Sequence, residues 1–109
     1  LAQRGACFFS VPSAFTKFTG KDHWHVLLRA RAIENGCFIF APAQCGKHSG
    51  NRETFGHSLI VDPWGKIIAE AKNDIGYILA NIDTSLVTKA RSIIPSLRKD
   101  VKFNIHKVK

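Results

Sequence analysis

The chain has 109 residues, 45% of them hydrophobic, and a net charge of +8. That length suits one domain rather than two, and the apolar fraction supplies a core, which excludes a globally disordered chain. No apolar run reaches the roughly 18 residues that a membrane crossing needs, so no membrane partner is expected.

Leu1-Ala2-Gln3-Arg4 offers no cap and reads as the last turn of a helix that begins earlier. The chain opens on Leu1 and has no methionine, so the expectation is a truncated or processed polypeptide. Its start lacks the basic, apolar and small-residue order of a signal peptide. Gly5 supplies a stop, and residues 6–11 (Ala-Cys-Phe-Phe-Ser-Val) form an apolar run suited to a buried strand, ended by Pro12-Ser13. Residues 14–18 read as a loop carrying Phe15 and Phe18. Thr19, with Asp22 three residues later, is the expected cap of a helix that runs to Asn35 and stops at Gly36. Trp24, Leu27, Leu28 and Arg31 share one face of it, and Val26, Ala30 and Ile33 share another, so coverage on more than one side is expected.

Residues 37–41 (Cys-Phe-Ile-Phe-Ala) read as a second buried strand, and 44–56 as a long polar and glycine-containing loop, of the kind that often carries function. Residues 58–61 and 66–70 flank Asp62-Pro63-Trp64-Gly65 as a β-hairpin. Asn73-Asp74 is a turn, 76–82 a further strand, and Asp83 or Thr84 caps a short helix that stops near Pro95. Strand, helix, strand, loop, three antiparallel-looking strands and helix describe a layered α/β arrangement with a mixed sheet. Residues 1–95 form the domain and 96–109 a basic C-terminal tail.

From Thr84 onward the chain carries seven Lys/Arg against Asp100, which places +6 of the +8 there. A basic end of this kind is a solvated terminus or a contact with an acidic face, and no reader motif accompanies it, so no nucleic-acid partner is expected. Cys7, Cys37 and Cys45 are odd in number with no framework spacing, which favours free thiols and a cytoplasmic setting. Cys7 and Cys37 fall within strand patterns. Cys45, close to His48, supports two readings, a nucleophile or an ordinary thiol at the mouth of a loop, and the second is preferred. Of the histidines and cysteines, Cys45/His48 alone approaches a zinc-ligand spacing, and His23 and His25 point to different sides of their helix, so neither a metal nor another cofactor is expected. Arg31 and Glu34 are spaced to pair, either on the surface or partly buried.

Several segments, in order, resemble the nitrilase superfamily of carbon–nitrogen hydrolases over about residues 1–95: Pro12-Ser13-Ala14-Phe15, Thr19-Gly20, His23-Trp24, the run from Arg29 to Asn35, Ala41-Pro42-Ala43-Gln44-Cys45-Gly46, Gly56-His57-Ser58, and Asp62-Pro63-Trp64-Gly65. Within it the chain looks most like the Nit-type amidases. The resemblance implies the C-terminal part of a four-layer αββα sandwich, dimerisation through packed helices, and a small-molecule amide as substrate. It also implies a Glu-Lys-Cys set that forms a thioester, all three members upstream of Leu1. None of Cys7, Cys37 or Cys45 matches the nucleophile, so no catalytic residue is assigned in this chain and Cys45 is given no catalytic role. What the resemblance leaves to this chain is the wall of a substrate pocket: Ser13, Ala14, Phe15 and Thr16, with Gln44 a weaker member. The expected partners are a second copy of the chain or the missing N-terminal half. The alternative from another class is a non-catalytic remnant or interaction domain that uses the dimer-forming surface.

Overall fold

A computed structural model describes residues 1–108. Its main sheet has four strands, β1 (Phe8–Ser10), β2 (Phe38–Ala41), β5 (Leu59–Val61) and β6 (Ile67–Glu70), in the order β1-β2-β5-β6. A second, two-stranded sheet pairs β3 (Cys45–Lys47) with β4 (Glu53–Phe55). Two helices, α1 (Lys17–Asn35) and α2 (Ser85–Ile93), complete the mixed α/β architecture. β1 and β2 are parallel, with Phe8 opposite Phe38, because α1 carries the chain back between them. β5 runs antiparallel to both β2 and β6.

The β5–β6 turn explains its own sequence. One Asp62 carboxylate oxygen accepts hydrogen bonds from the Trp64 and Lys66 N–H groups at 2.8 and 2.9 Å. The Gly65 N–H donates to the Asp62 carbonyl at 2.9 Å, and Gly65 takes a φ of 84°. The Arg29 guanidinium then donates to the Gly65 carbonyl at 2.8 Å, fastening α1 to the turn.

α1 is capped by Thr16, one turn earlier than the Thr19 expected from sequence: the Thr16 hydroxyl accepts from the Thr19 N–H. Its C-terminus ends as expected at Gly36, left-handed with φ 54°, whose N–H reaches the Ala32 and Ile33 carbonyls. The helix buries one stripe, Gly20, Trp24, Leu28 and Ala32, spaced four residues apart. Trp24, Leu28 and Ala32 meet Ile39 and Ala41 of β2 and Leu59 and Val61 of β5 in the core. The expected second covered face is not covered among the described residues, since Val26 is 65% exposed and Ile33 45%. Arg31 and Glu34 pair at 2.6 Å as a solvated surface pair.

Ala2–Arg4 forms a 3₁₀ turn that Gly5 ends as expected. Two further expectations need correction. The stretch 44–56 is not a structureless loop: β3 and β4 pair antiparallel, Cys45 opposite Phe55, around a short 3₁₀ turn at Ser49–Asn51. Residues 76–82 form no strand, because no neighbouring strand supplies ladder partners among the described residues. α2 begins as expected, with the Asp83 carboxylate accepting from the Ser85 N–H at 2.9 Å. The Arg91 guanidinium anchors it, donating to the Asn35 and Ala6 carbonyls at 3.2 and 2.6 Å. All three cysteines are free. No helix among the described residues is long and apolar enough to cross a membrane.

Gly20 lies inside α1, where glycine is a poor helix former, and its place is set by packing. A Cβ there would stand 2.5 Å from Phe55 Cβ and 2.6 Å from Phe55 Cγ. Gly20→Ala should gain about 1 kcal/mol of helix propensity and lose about 1–3 kcal/mol to overpacking. A lower urea midpoint is expected, and a raised one would contradict this packing. Cys37 is fully buried, and burial lifts its thiol to about 11 against the opposing effect of Arg91. Thiol labelling of the native chain at pH 8 should therefore modify the partly exposed Cys7 and Cys45 and spare Cys37 until the chain unfolds.

Candidate functional site

The loop between β1 and α1 carries the four residues expected to line a pocket, and backbone bonds fix it on both sides. The Ser13 N–H donates to the Pro42 carbonyl at 3.0 Å, and the Gln44 N–H donates to the Ser13 carbonyl at 2.9 Å. The Phe55 N–H donates to the Phe15 carbonyl at 2.9 Å, and Thr16 bridges Thr54. The loop is thus held between the end of β2 and β4, which is why the Gln44 segment comes beside it. Phe15 packs on Trp24 with ring centroids 5.2 Å apart.

The side chains of this loop do not all face one space. Ser13 and Phe15 open on a mainly apolar cavity of about 500 Å³ between β1 and α1, shared with Phe9, Val11, Trp24 and Leu28. Gln44 borders a different, more polar cavity of about 320 Å³ with Cys45, His48, Ser58 and Tyr77. Ala14 and Thr16 line neither, and Thr16 is the helix cap.

The Gly56-His57-Ser58 segment turns the chain from β4 into β5. Gly56 and His57 are both left-handed, with φ of 70° and 58°. A Cβ at Gly56 would lie 2.8 Å from the Asn73 amide oxygen, so a side chain has no room there. Histidine is among the few side chains that tolerate this region. The Trp24 indole N–H donates to the His57 carbonyl at 2.7 Å and holds the turn against α1. The Ser58 hydroxyl accepts from the Ala43 N–H at 2.9 Å.

The turn also brings together three groups that sequence spacing left apart. His25 Nε2 lies 2.7 Å and His57 Nδ1 3.0 Å from the same oxygen, Glu70 Oε1. Partial burial raises the Glu70 carboxyl, the hydrogen bonds from His25 and His57 outweigh it, and the group titrates below its ordinary value. No short-range motif announces this trio, because its members come from α1, the β4–β5 turn and the end of β6. The pair that sequence did single out stays apart from it: His48 Nε2 lies 2.8 Å from the Thr54 hydroxyl, and Cys45 opposes Phe55 in the hairpin. On the outer side of α1, Lys17 donates to Glu53 at 2.8 Å, and this bond holds the Glu53 carboxyl below its ordinary value.

Comparison with known proteins accounts for the arrangement. The family model for carbon-nitrogen hydrolases matches residues 1–92. The deaminated glutathione amidase of Synechocystis sp. (strain PCC 6803 / GT-S) is 50% identical over 101 residues, which cover 93% of this chain and 37% of that protein. The Homo sapiens deaminated glutathione amidase is 48% identical over 95 residues, covering 87% of this chain and 29% of that protein. Among solved structures, the C. elegans NitFhit protein superposes with a TM-score of 0.85 at 45% identity, covering 91% of this chain and 24% of that chain. Saccharomyces cerevisiae Nit3, a member of branch 10 of the nitrilase superfamily, superposes with a TM-score of 0.82 at 35% identity, covering 90% of this chain and 36% of that one. The chain thus spans 37% and 29% of the two curated relatives named. With the family model matched across most of its length, the chain belongs to the carbon–nitrogen hydrolases of the nitrilase superfamily.

Proposed function

We propose that this chain forms the C-terminal portion of a cysteine-dependent amidase acting on small-molecule amides, and that it supplies pocket wall and assembly surface rather than the reacting groups. The observation that carries the reading is the matched family model together with a fixed Ser13–Phe15 loop that opens on an apolar cavity. In this chemistry a thiolate attacks the amide carbon, an ammonium stabilises the developing oxyanion, and a carboxylate moves the protons before water hydrolyses the thioester. The three cysteines here are poor candidates for that thiolate. Cys37 is buried with a raised thiol, Cys7 lies beside the Gly5 carbonyl, and Cys45 is held within a hairpin. The family resemblance implies that the thiolate, ammonium and carboxylate come from a polypeptide segment outside these residues, which completes the four-layer αββα sandwich. The similarity to deaminated glutathione amidases makes that compound the first substrate to test.

The exposed apolar residues Val26, Leu27 and Ile33 of α1, and Trp64 of the β5–β6 turn, favour helix-to-helix dimerisation. This surface also supports the second reading, a non-catalytic interaction domain.

The chain is to be joined to the upstream portion of the Synechocystis relative and assayed beside the 109 residues alone. The chimera is expected to hydrolyse deaminated glutathione and the isolated chain to be inactive. Phe15→Ala in the chimera should raise KM by about tenfold with a smaller change in kcat, as expected for loss of an apolar binding contact. Turnover by the isolated chain that disappears when one of its own cysteines is replaced by serine would overturn the proposal. So would a folded but inactive chimera.

A further inference from the structure

The groups around Glu70 have a composition that the hydrolase reading does not use. Two imidazole nitrogens and a carboxylate oxygen converge, and all three ligand atoms lie within 4.8 Å of one another. His25 comes from α1, His57 from the turn before β5 and Glu70 from the end of β6. We propose that His25, His57 and Glu70 form a binding site for one zinc-type divalent ion, a site independent of the amidase chemistry.

The donor set selects the ion. Two neutral imidazoles and one carboxylate suit borderline metals such as Zn²⁺, whereas Ca²⁺ and Mg²⁺ need sites built mainly of oxygen. Zinc bonds of about 2.0–2.2 Å place tetrahedral ligands about 3.3–3.6 Å apart. The 2.7 and 3.0 Å contacts that His25 and His57 make with one Glu70 oxygen are somewhat shorter than that spacing. Metal would replace two hydrogen bonds, and small side-chain rotations would open the ligands around it.

The site is also held in advance. Phe55 stacks on the His57 ring with centroids 4.2 Å apart and meets the His25 ring in a T-shaped pair at 5.8 Å. The His57 carbonyl is fixed by the Trp24 indole at 2.7 Å. The aromatic wall therefore orients both imidazoles, as supporting groups do around established metal sites. Side-chain exposures of 30%, 29% and 37% for His25, His57 and Glu70 leave a hydrated ion access. Three protein ligands leave a coordination position for water.

Zn²⁺ titration calorimetry and Co²⁺ absorption on the full chain, shown folded by far-UV circular dichroism, test the site. One equivalent of either metal should bind, and Zn²⁺ should raise the thermal midpoint. His25→Gln and His57→Asn should each weaken binding by at least about tenfold, a loss that even supporting groups of metal sites can cause. Asparagine is chosen at His57 because it tolerates the left-handed backbone. Glu70→Gln, the third variant, should weaken binding without touching either imidazole. His23→Gln and Cys45→Ser should bind as the parent does. The proposal falls if the folded chain shows no saturable binding, which would leave a hydrogen-bonded trio only. It falls equally if binding survives His25→Gln and His57→Asn, or if a thiolate–cobalt band is lost in Cys45→Ser.

Discussion

The arrangement depends on the Trp24 indole, which is buried against the sheet and donates its one N–H to the His57 carbonyl. An indole removed from water needs such an acceptor, and the carbonyl at a left-handed turn needs such a donor. The bond fixes how deeply α1 sits on β2 and β5, and the Phe15 ring lies against the same indole. Gly20, one turn earlier on α1, lets the helix approach Phe55 closely enough for this to happen. The Ser13–Thr16 loop, the end of β4 and the His57 turn are therefore positioned together by one side chain.

The family motifs are legible in sequence largely because they build these joints. Asp62-Pro63-Trp64-Gly65 is a turn in which a carboxylate binds two N–H groups and glycine takes a positive φ. Gly56-His57-Ser58 places two left-handed residues where no Cβ fits at the first, then a serine that ties Ala43. Arg29, read as part of the helix motif, binds the Gly65 carbonyl. Each of these is a local backbone demand, which is the kind of demand a sequence displays.

Pairing between distant segments is where local reading failed. Cys45-Gly46-Lys47 and Glu53-Thr54-Phe55 are three residues each and have no clear alternation, yet they pair across a 3₁₀ turn. Residues 76–82 have a strand-like apolar pattern and no partner among the described residues, with Tyr77 left 86% exposed. The Thr16 cap was hidden because both Thr16 and Thr19 have capping side chains and they bond one another at 2.8 Å. Ser13 and Phe15 face one cavity, while Gln44, adjacent through its backbone, lines another. The His25–Glu70–His57 trio had no spacing signal, since only the tertiary fold brings it together. The amidase reading and the metal reading thus rest on different side chains joined through Phe55 and Trp24.

Amide hydrogen exchange in the parent and in Trp24→Phe, compared residue by residue, tests this dependence most directly. The account predicts that losing the indole N–H accelerates exchange at Phe55, whose N–H is bound by Phe15, and at His57, whose N–H is bound by Lys72. The Ile94 amide, bonded to Ala90 in the α2 region, should keep its parent rate. Unchanged protection at Phe55 and His57, or an equal loss of protection throughout the chain, would contradict a local seam centred on Trp24.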